Sequence, residues 1–339
     1  MNKSFRITSV IALLLTAATF FSCIDEDEYD DTPDGNFEAL WKIIDEHYCF
    51  FDYKDSVYGL DWDEVYADYK VRIDDDMTSS QLFEVLSDML SELKDGHVNL
   101  STSSDFSRYW SWEEDYPSNV SDTLLRRYMG TDYKIAAGIK YLVLDDNIGY
   151  IRYESFSDGI GNGNLDDVLT YLMTCNGLII DIRSNGGGTL TYAERFASRF
   201  FNSTTLVGYM QHKTGTGHSD FSDMEEQWME TSANVRWQKG VCVLTNRGVY
   251  SAANEFVKYM KCADNVTIVG DQTGGGAGLP FTSMLPNGWA VRFSACPMYD
   301  RDGNSTEFGI EPDYEVSLTD EDFAKGIDTI IEFARDLLH

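Results

Sequence analysis

Basic residues are scarce in this chain. Lysine and arginine number 26 against 57 aspartates and glutamates, a formal net charge of −31 over 339 residues. Such a surface repels nucleic acid and anionic lipid headgroups, so a nucleic-acid partner is not expected. A membrane-length apolar run is also absent. The apolar run near the N-terminus, residues 10–21, is too short to span a bilayer as a helix. The six cysteines include no Cys-x-x-Cys pair and no zinc-type spacing. No metal and no organic cofactor is therefore implied. Internal repeats and long low-complexity stretches are missing too. What remains is a chain with 43% hydrophobic and 14% aromatic residues, enough for one large globular core or two smaller ones.

The first 22 residues read as a targeting segment. Lys3 and Arg6 precede the apolar run, which ends at Ser22-Cys23. The pattern resembles a bacterial lipoprotein signal, cleaved before Cys23 with lipid on its sulfur, although Phe20 stands where leucine is usual. An ordinary secretory signal with an incidental cysteine is the alternative. On the first reading the mature protein is membrane-anchored in the cell envelope, on its periplasmic or surface side, rather than membrane-spanning. Residues 23–35 then form an acidic, solvated tether. Cys49, Cys175, Cys242, Cys262 and Cys296 remain, an odd set that allows one disulfide without naming it. Cys175 and Cys242 sit in apolar contexts and read as buried thiols.

Residues 36–97 read as a small helical domain of about three helices, with Phe37, Leu40, Trp41, Ile44 and Tyr48 at helical spacing. Asp61 with Glu64, and Thr78 with Gln81, mark helix starts. Residues 98–138 read as an irregular connecting segment. From residue 139 strands and helices alternate: strands near 148–153, 177–182, 240–245 and 266–269, with helices near 165–175, 189–201 and 251–262. That order indicates an α/β core over residues 139–339. Asn287-Gly288 marks a hairpin, and residues 319–338 read as one closing amphipathic helix.

Four segments carry candidate chemistry. Asn185-Gly186-Gly187-Gly188 follows a buried strand and precedes a helix, so its N–H groups could hold developing negative charge on a carbonyl oxygen. Otherwise it is a tight turn. Ser251 ends a strand-to-helix turn, as an exposed hydroxyl or a plain N-cap. His97, in Asp95-Gly96-His97, is either a general base or an incidental residue after a left-handed cap at Gly96. Glu307 and Glu311 flank Gly309 and precede or adjoin Pro312, as a histidine-orienting carboxylate or parts of a surface turn. His218 reads as solvated in a polar loop.

These segments occur in an order that resembles the S41 serine peptidases, which include C-terminal processing peptidases and the tricorn core protease. Leu93-Lys94-Asp95-Gly96-His97, Gly149-Tyr150-Ile151, the run from Asp181 to Gly188, Ser251-Ala252-Ala253-Asn254-Glu255, the run from Gly270 to Gly276 and Gly309-Ile310-Glu311-Pro312-Asp313 carry the likeness, over roughly residues 36–335. The resemblance implies a crotonase-like core of stacked β/α units and a peptide or protein substrate. It implies Ser251 as nucleophile, His97 as general base, and Glu307, with Glu311 as second choice, as the orienting carboxylate. Gly187 or Gly188 with Ala252 would supply the oxyanion donors. Two departures accompany it. The lysine of a Ser–Lys dyad would fall at Gly276, and no lysine lies between Lys261 and Lys325. The segment between His97 and the core is too short for the PDZ module many relatives carry. A binding protein on the same scaffold, with an aromatic cleft around Tyr109, Trp110 and Trp112, and an esterase are the alternatives.

Overall fold

The computed structural model describes residues 29–109, 111 and 116–339. The expected signal segment and Cys23 lie outside the described residues, as do Trp110 and Trp112.

Four helices open the described residues: α1 (Pro33–His47), α2 (Phe51–Tyr58), α3 (Trp62–Lys70) and α4 (Ser79–Ser91). Thr32 caps α1 through a bond from Gly35 N–H, so helix begins inside the segment expected to be a tether. Asp61 caps α3, and Thr78 with Gln81 forms a full capping box on α4. The helix missing from the sequence reading is α2, whose N-cap, Phe50, makes no side-chain cap bond.

Residues 98–138 are not irregular. They contain β1 (Asn99–Ser101), β2 (Phe106–Arg108), α5 (Asp122–Met129) and β3 (Lys134–Ala136). The core follows with β4 (Ile139–Val143), β5 (Gly149–Tyr153), α6 (Asn162–Leu172), β6 (Leu178–Asp181), α7 (Leu190–Ala197), β7 (Thr205–Met210) and β8 (Glu225–Met229). Then come β9 (Val241–Thr245), α8 (Ala252–Met260), β10 (Val266–Gly270), β11 (Gly278–Met284), β12 (Ala290–Tyr299), β13 (Tyr314–Glu315), α9 (Asp320–Lys325) and α10 (Thr329–Leu338). The closing segment is therefore two helices, broken where Gly326 takes φ of 75°.

Seven strands form one sheet in the order β13-β10-β9-β6-β5-β4-β3, parallel from β5 to β13. Its central strands are buried on both faces, as the largely apolar runs of β6 and β9 require. Ile151, Ile180, Val243 and Ile268 face α6, α7 and α8 in one apolar cluster. Tyr150, Ile179, Cys242, Leu244 and Val269 face α5 and α10 in another. This is the α/β architecture expected, with helices on both faces.

A second, antiparallel sheet was not anticipated. It runs β2-β1-β12-β7-β8, with β11 on β12, and carries the Asn287-Gly288 hairpin. The N-terminal helices pack on it: Phe37, Leu40, Leu86 and Met89 share a cluster with Leu100, Val291 and Phe293. All five described cysteines are free and buried. His218 is docked rather than simply solvated, bonding Asp45 at 2.7 Å and stacking on Phe51. Among the described residues no helix is long and apolar enough to cross a membrane.

Candidate active site

Parallel strands deliver loops to one edge of the sheet, their C-terminal edge, where α/β proteins commonly build sites. Two such loops interlock here, residues 182–189 after β6 and 246–251 after β9. Asn246 Oδ1 accepts the Ser184 N–H at 2.7 Å, and the Tyr250 N–H donates to Asn185 O at 3.0 Å. Contact is so close that a Cβ on Gly187 would lie 2.6 Å from Tyr250 O and 2.8 Å from Ser251 Cβ. Gly187 has φ of 95°, so glycine is needed there for both space and backbone.

Ser251 ends the second loop with φ of 58° and ψ of −125°, a conformation costly for a residue with a side chain. Its hydroxyl makes no cap bond to α8. Instead, Ser251 Oγ lies 2.8 Å from His97 Nε2. The plain N-cap alternative for Ser251 is thereby removed.

His97 is supplied by the turn after α4. That turn is made by Lys94, with φ of 47°, and not by a left-handed Gly96. Asp95 anchors it: Oδ1 accepts the His97 N–H at 2.7 Å, and Oδ2 accepts the hydroxyls of Ser294 at 2.8 Å and Tyr48 at 3.1 Å. Burial pushes the Asp95 carboxyl up, but nearby Lys54, His97 and these bonds outweigh it and hold it below its ordinary value. Burial dominates at His97 and, helped by Arg292, Arg108 and Lys54, lowers it to about 4 against the opposing pull of Asp95. The imidazole is therefore neutral at ordinary pH and able to accept a proton.

Glu307 does not bond the imidazole. Its Oε1 meets Lys54 Nζ at 3.2 Å and its Oε2 accepts the Ala277 N–H at 2.9 Å. His97 Nδ1 is buried with no hydrogen-bond partner among the described residues. Burial and the adjacent Asp95 push Glu307 up to about 8, despite Lys54. The expectation that Glu307 orients His97 is thus corrected, because its two oxygens are engaged elsewhere and its carboxyl resists ionisation. Glu311, the second choice, is exposed on the surface.

A further correction concerns the oxyanion donors. The Gly187 N–H is turned inward onto Asn185 Oδ1 at 3.0 Å and is not free for a ligand. The N–H groups of Gly188 and Ala252 have no acceptor among the described residues. Beside the pair opens a cavity of about 260 Å³, lined by Tyr58, Tyr109, Tyr116, Arg247 and Phe308 and bounded by Gly96, Tyr250 and Glu307. No group of three or more metal-ligating side chains occurs among the described residues.

The model of peptidase family S41 matches residues 147–316, half the chain, including both interlocked loops and Ser251. The chain belongs to peptidase family S41. A second family model, the tricorn protease C1 domain, matches residues 29–91, the N-terminal helices. The carboxy-terminal processing protease CtpA of Bacillus subtilis is 25% identical over 52% of this chain, and the match spans only 36% of that protein. A crystal structure of a candidate peptidase from Parabacteroides merdae is 52% identical, covers 91% of this chain and 97% of its own, and superposes with a TM-score of 0.86. Mature CPAF complexed with lactacystin shares the fold at 12% identity, with 91% of this chain and 97% of that one covered and a TM-score of 0.69.

For an S41 member, the absent lysine now has a physical reason. Gly276 has φ of 78°, and a Cβ there would lie 2.5 Å from Tyr250 Cζ. The Tyr250 ring fills the space a side chain at 276 would need. The sequence reading missed the buried groups beneath His97, namely Lys54, Tyr48 and Ser294. Only Lys54 carried any local signal, as a cation among Phe50, Phe51 and Tyr58 at helical spacing, and its partners lie 40 and 253 residues away.

Proposed function

We propose that the protein is a serine endopeptidase that cleaves peptide bonds through an acyl-enzyme on Ser251. The observation that carries this is the 2.8 Å contact between Ser251 Oγ and a buried, neutral His97. His97 Nε2 takes the hydroxyl proton as Oγ attacks the carbonyl carbon. The oxyanion that forms is met by the N–H groups of Gly188 and Ala252, at the N-terminus of α8. The imidazolium returns its proton to the leaving amine, and water, activated by the same imidazole, releases the acyl group. Asp95 supports the imidazolium through its charge and holds the turn that carries the ring by accepting the backbone N–H of His97. The aromatic cavity beside the pair offers room for a substrate side chain.

Ser251's strained backbone and its bond to His97 favour this reading over a binding protein on the same scaffold, which would have no use for either. The test is digestion of an unstructured polypeptide followed by mass spectrometry. New peptide termini should appear with wild type and be absent with Ser251→Ala. Equal products from both proteins would overturn the proposal. We also propose that Cys23 carries a lipid anchoring the protein to the outer membrane, on its periplasmic or surface side. Intact mass of protein from native envelopes should give a chain starting at an acylated Cys23, and an unmodified Cys23 would refute this.

A further inference from the structure

We infer that Lys54 is a positioning residue of the Ser251–His97 pair, through which the N-terminal helices complete the active site. The inference rests on the catalytic reading above. Lys54 belongs to α2, within the tricorn C1 match and outside the S41 match. Its side chain is 1% exposed. A lone lysine is rarely so buried unless something inside needs its charge.

Its ammonium joins three segments. It donates to Lys94 O at 3.0 Å, at the left-handed residue that starts the turn bearing His97. It pairs with Glu307 Oε1 at 3.2 Å. Through Glu307 it reaches a third segment, because Glu307 Oε2 accepts the Ala277 N–H and Glu307 O accepts the Gly276 N–H. That same segment holds the nucleophile, since the Ser251 N–H donates to Gly275 O at 2.9 Å. One cation therefore ties the turn carrying the base to the strand of backbone on which the nucleophile rests. The ammonium also lies over the Phe308 ring, 4.7 Å from its centroid.

The charges around His97 give this arrangement an electrostatic consequence. Two buried carboxyls, Asp95 beside His97 and Glu307 beyond it, share a buried cluster with the neutral hydroxyls of Tyr48 and Tyr250 and the Cys49 thiol. Arg108 and Arg292 approach from β2 and β12. Burial, Arg292 and Arg108 oppose protonation of the ring most, and Lys54, the most buried of the three cations, adds to them. Removing it both loosens the turn and makes the imidazole easier to protonate.

The test is the rate of fluorophosphonate labelling of the full chain, measured from about pH 4 to about pH 8. It compares wild type, Lys54→Met, Lys54→Arg, Lys54→Met/Glu307→Gln and Ser251→Ala. The double variant keeps residue 307 uncharged, the state that burial and Asp95 already favour, so no carboxylate can be left facing Met in place of the Lys54 ammonium, and the only positive charge removed near His97 is that of Lys54. Loss of positioning by about 1 Å predicts labelling about 100-fold slower in Lys54→Met and in the double variant. Their acid limb should also move to higher pH, while Lys54→Arg keeps the wild-type limb. A folded double variant with the wild-type rate overturns the inference. Slower labelling with an unmoved limb also overturns it, by reducing Lys54 to a structural group. Labelling of Ser251→Ala, or none of wild type, would instead strike at the catalytic reading itself and take the inference with it.

Discussion

Lowering the pH is the perturbation whose outcome the structure fixes most sharply. His97 is 4% exposed, and its burial, reinforced by Arg292, Arg108 and Lys54, holds it at about 4. In the unfolded chain the same imidazole titrates near its ordinary value of 6.5. Between these values the unfolded state binds more protons, so stability rises with pH and is lost as pH falls from 6.5 towards 4. The difference corresponds to roughly 3 kcal/mol at about 1.4 kcal/mol per pH unit. Other groups also titrate in this range, so the quantity to measure is the difference between wild type and His97→Gln. Urea unfolding at about pH 7 and about pH 4 should bring wild type down by about 3 kcal/mol relative to the variant. The rate tells the same story from the other side. A base that is neutral above about pH 5 predicts labelling or turnover that stays flat down to that value, with an acid limb well below that of a free histidine. An acid limb near 6.5, or a wild-type-to-variant difference that ignores pH, would refute the reasoning.

Three more perturbations test separate parts of the structure. Gly187→Ala puts a methyl 2.6 Å from Tyr250 O and 2.9 Å from Ala252 N, so turnover should fall by about 100-fold with the fold retained by circular dichroism. Arg183→Met strands the buried Asp328 carboxyl, which Arg183 meets at 3.0 Å, and takes a 2.6 Å partner from the buried Asp181, leaving it Arg152 at 3.1 Å. Denaturant unfolding should register a loss of about 3–5 kcal/mol. Phe256→Ala empties a site where α8 stacks on Phe196 and packs on Phe156, and should cost about 3–5 kcal/mol in the same assay.

The central sheet was legible because β6 and β9 are buried on both faces and are apolar along most of their length. Thr78 and Gln81, and Asp61, announced their helices for a similar reason, since cap chemistry is local. Of the second sheet only the Asn287-Gly288 hairpin was legible. Strands β1 and β2 are three residues each, and the pairing of Asn99 with Arg292 joins segments almost 200 residues apart. Helix α2 escaped because its start carries no capping side chain. In the site, Ser251 and His97, whose side chains the structure brings to 2.8 Å, were singled out through an ordered set of motifs. The role given to Glu307 did not survive, because what a buried carboxylate does depends on its spatial neighbour, here Lys54. Gly187 was named as a donor on loop position alone. Only the structure reveals that the Asn185 side chain has already taken its N–H.

The most direct test of the account is to treat the protein with a fluorophosphonate and map the adduct by peptide mass spectrometry. The account predicts a single phosphonylated residue, Ser251, with labelling abolished in Ser251→Ala and severely slowed in His97→Ala. A folded wild-type protein left unmodified, or an adduct on any other serine, would contradict it.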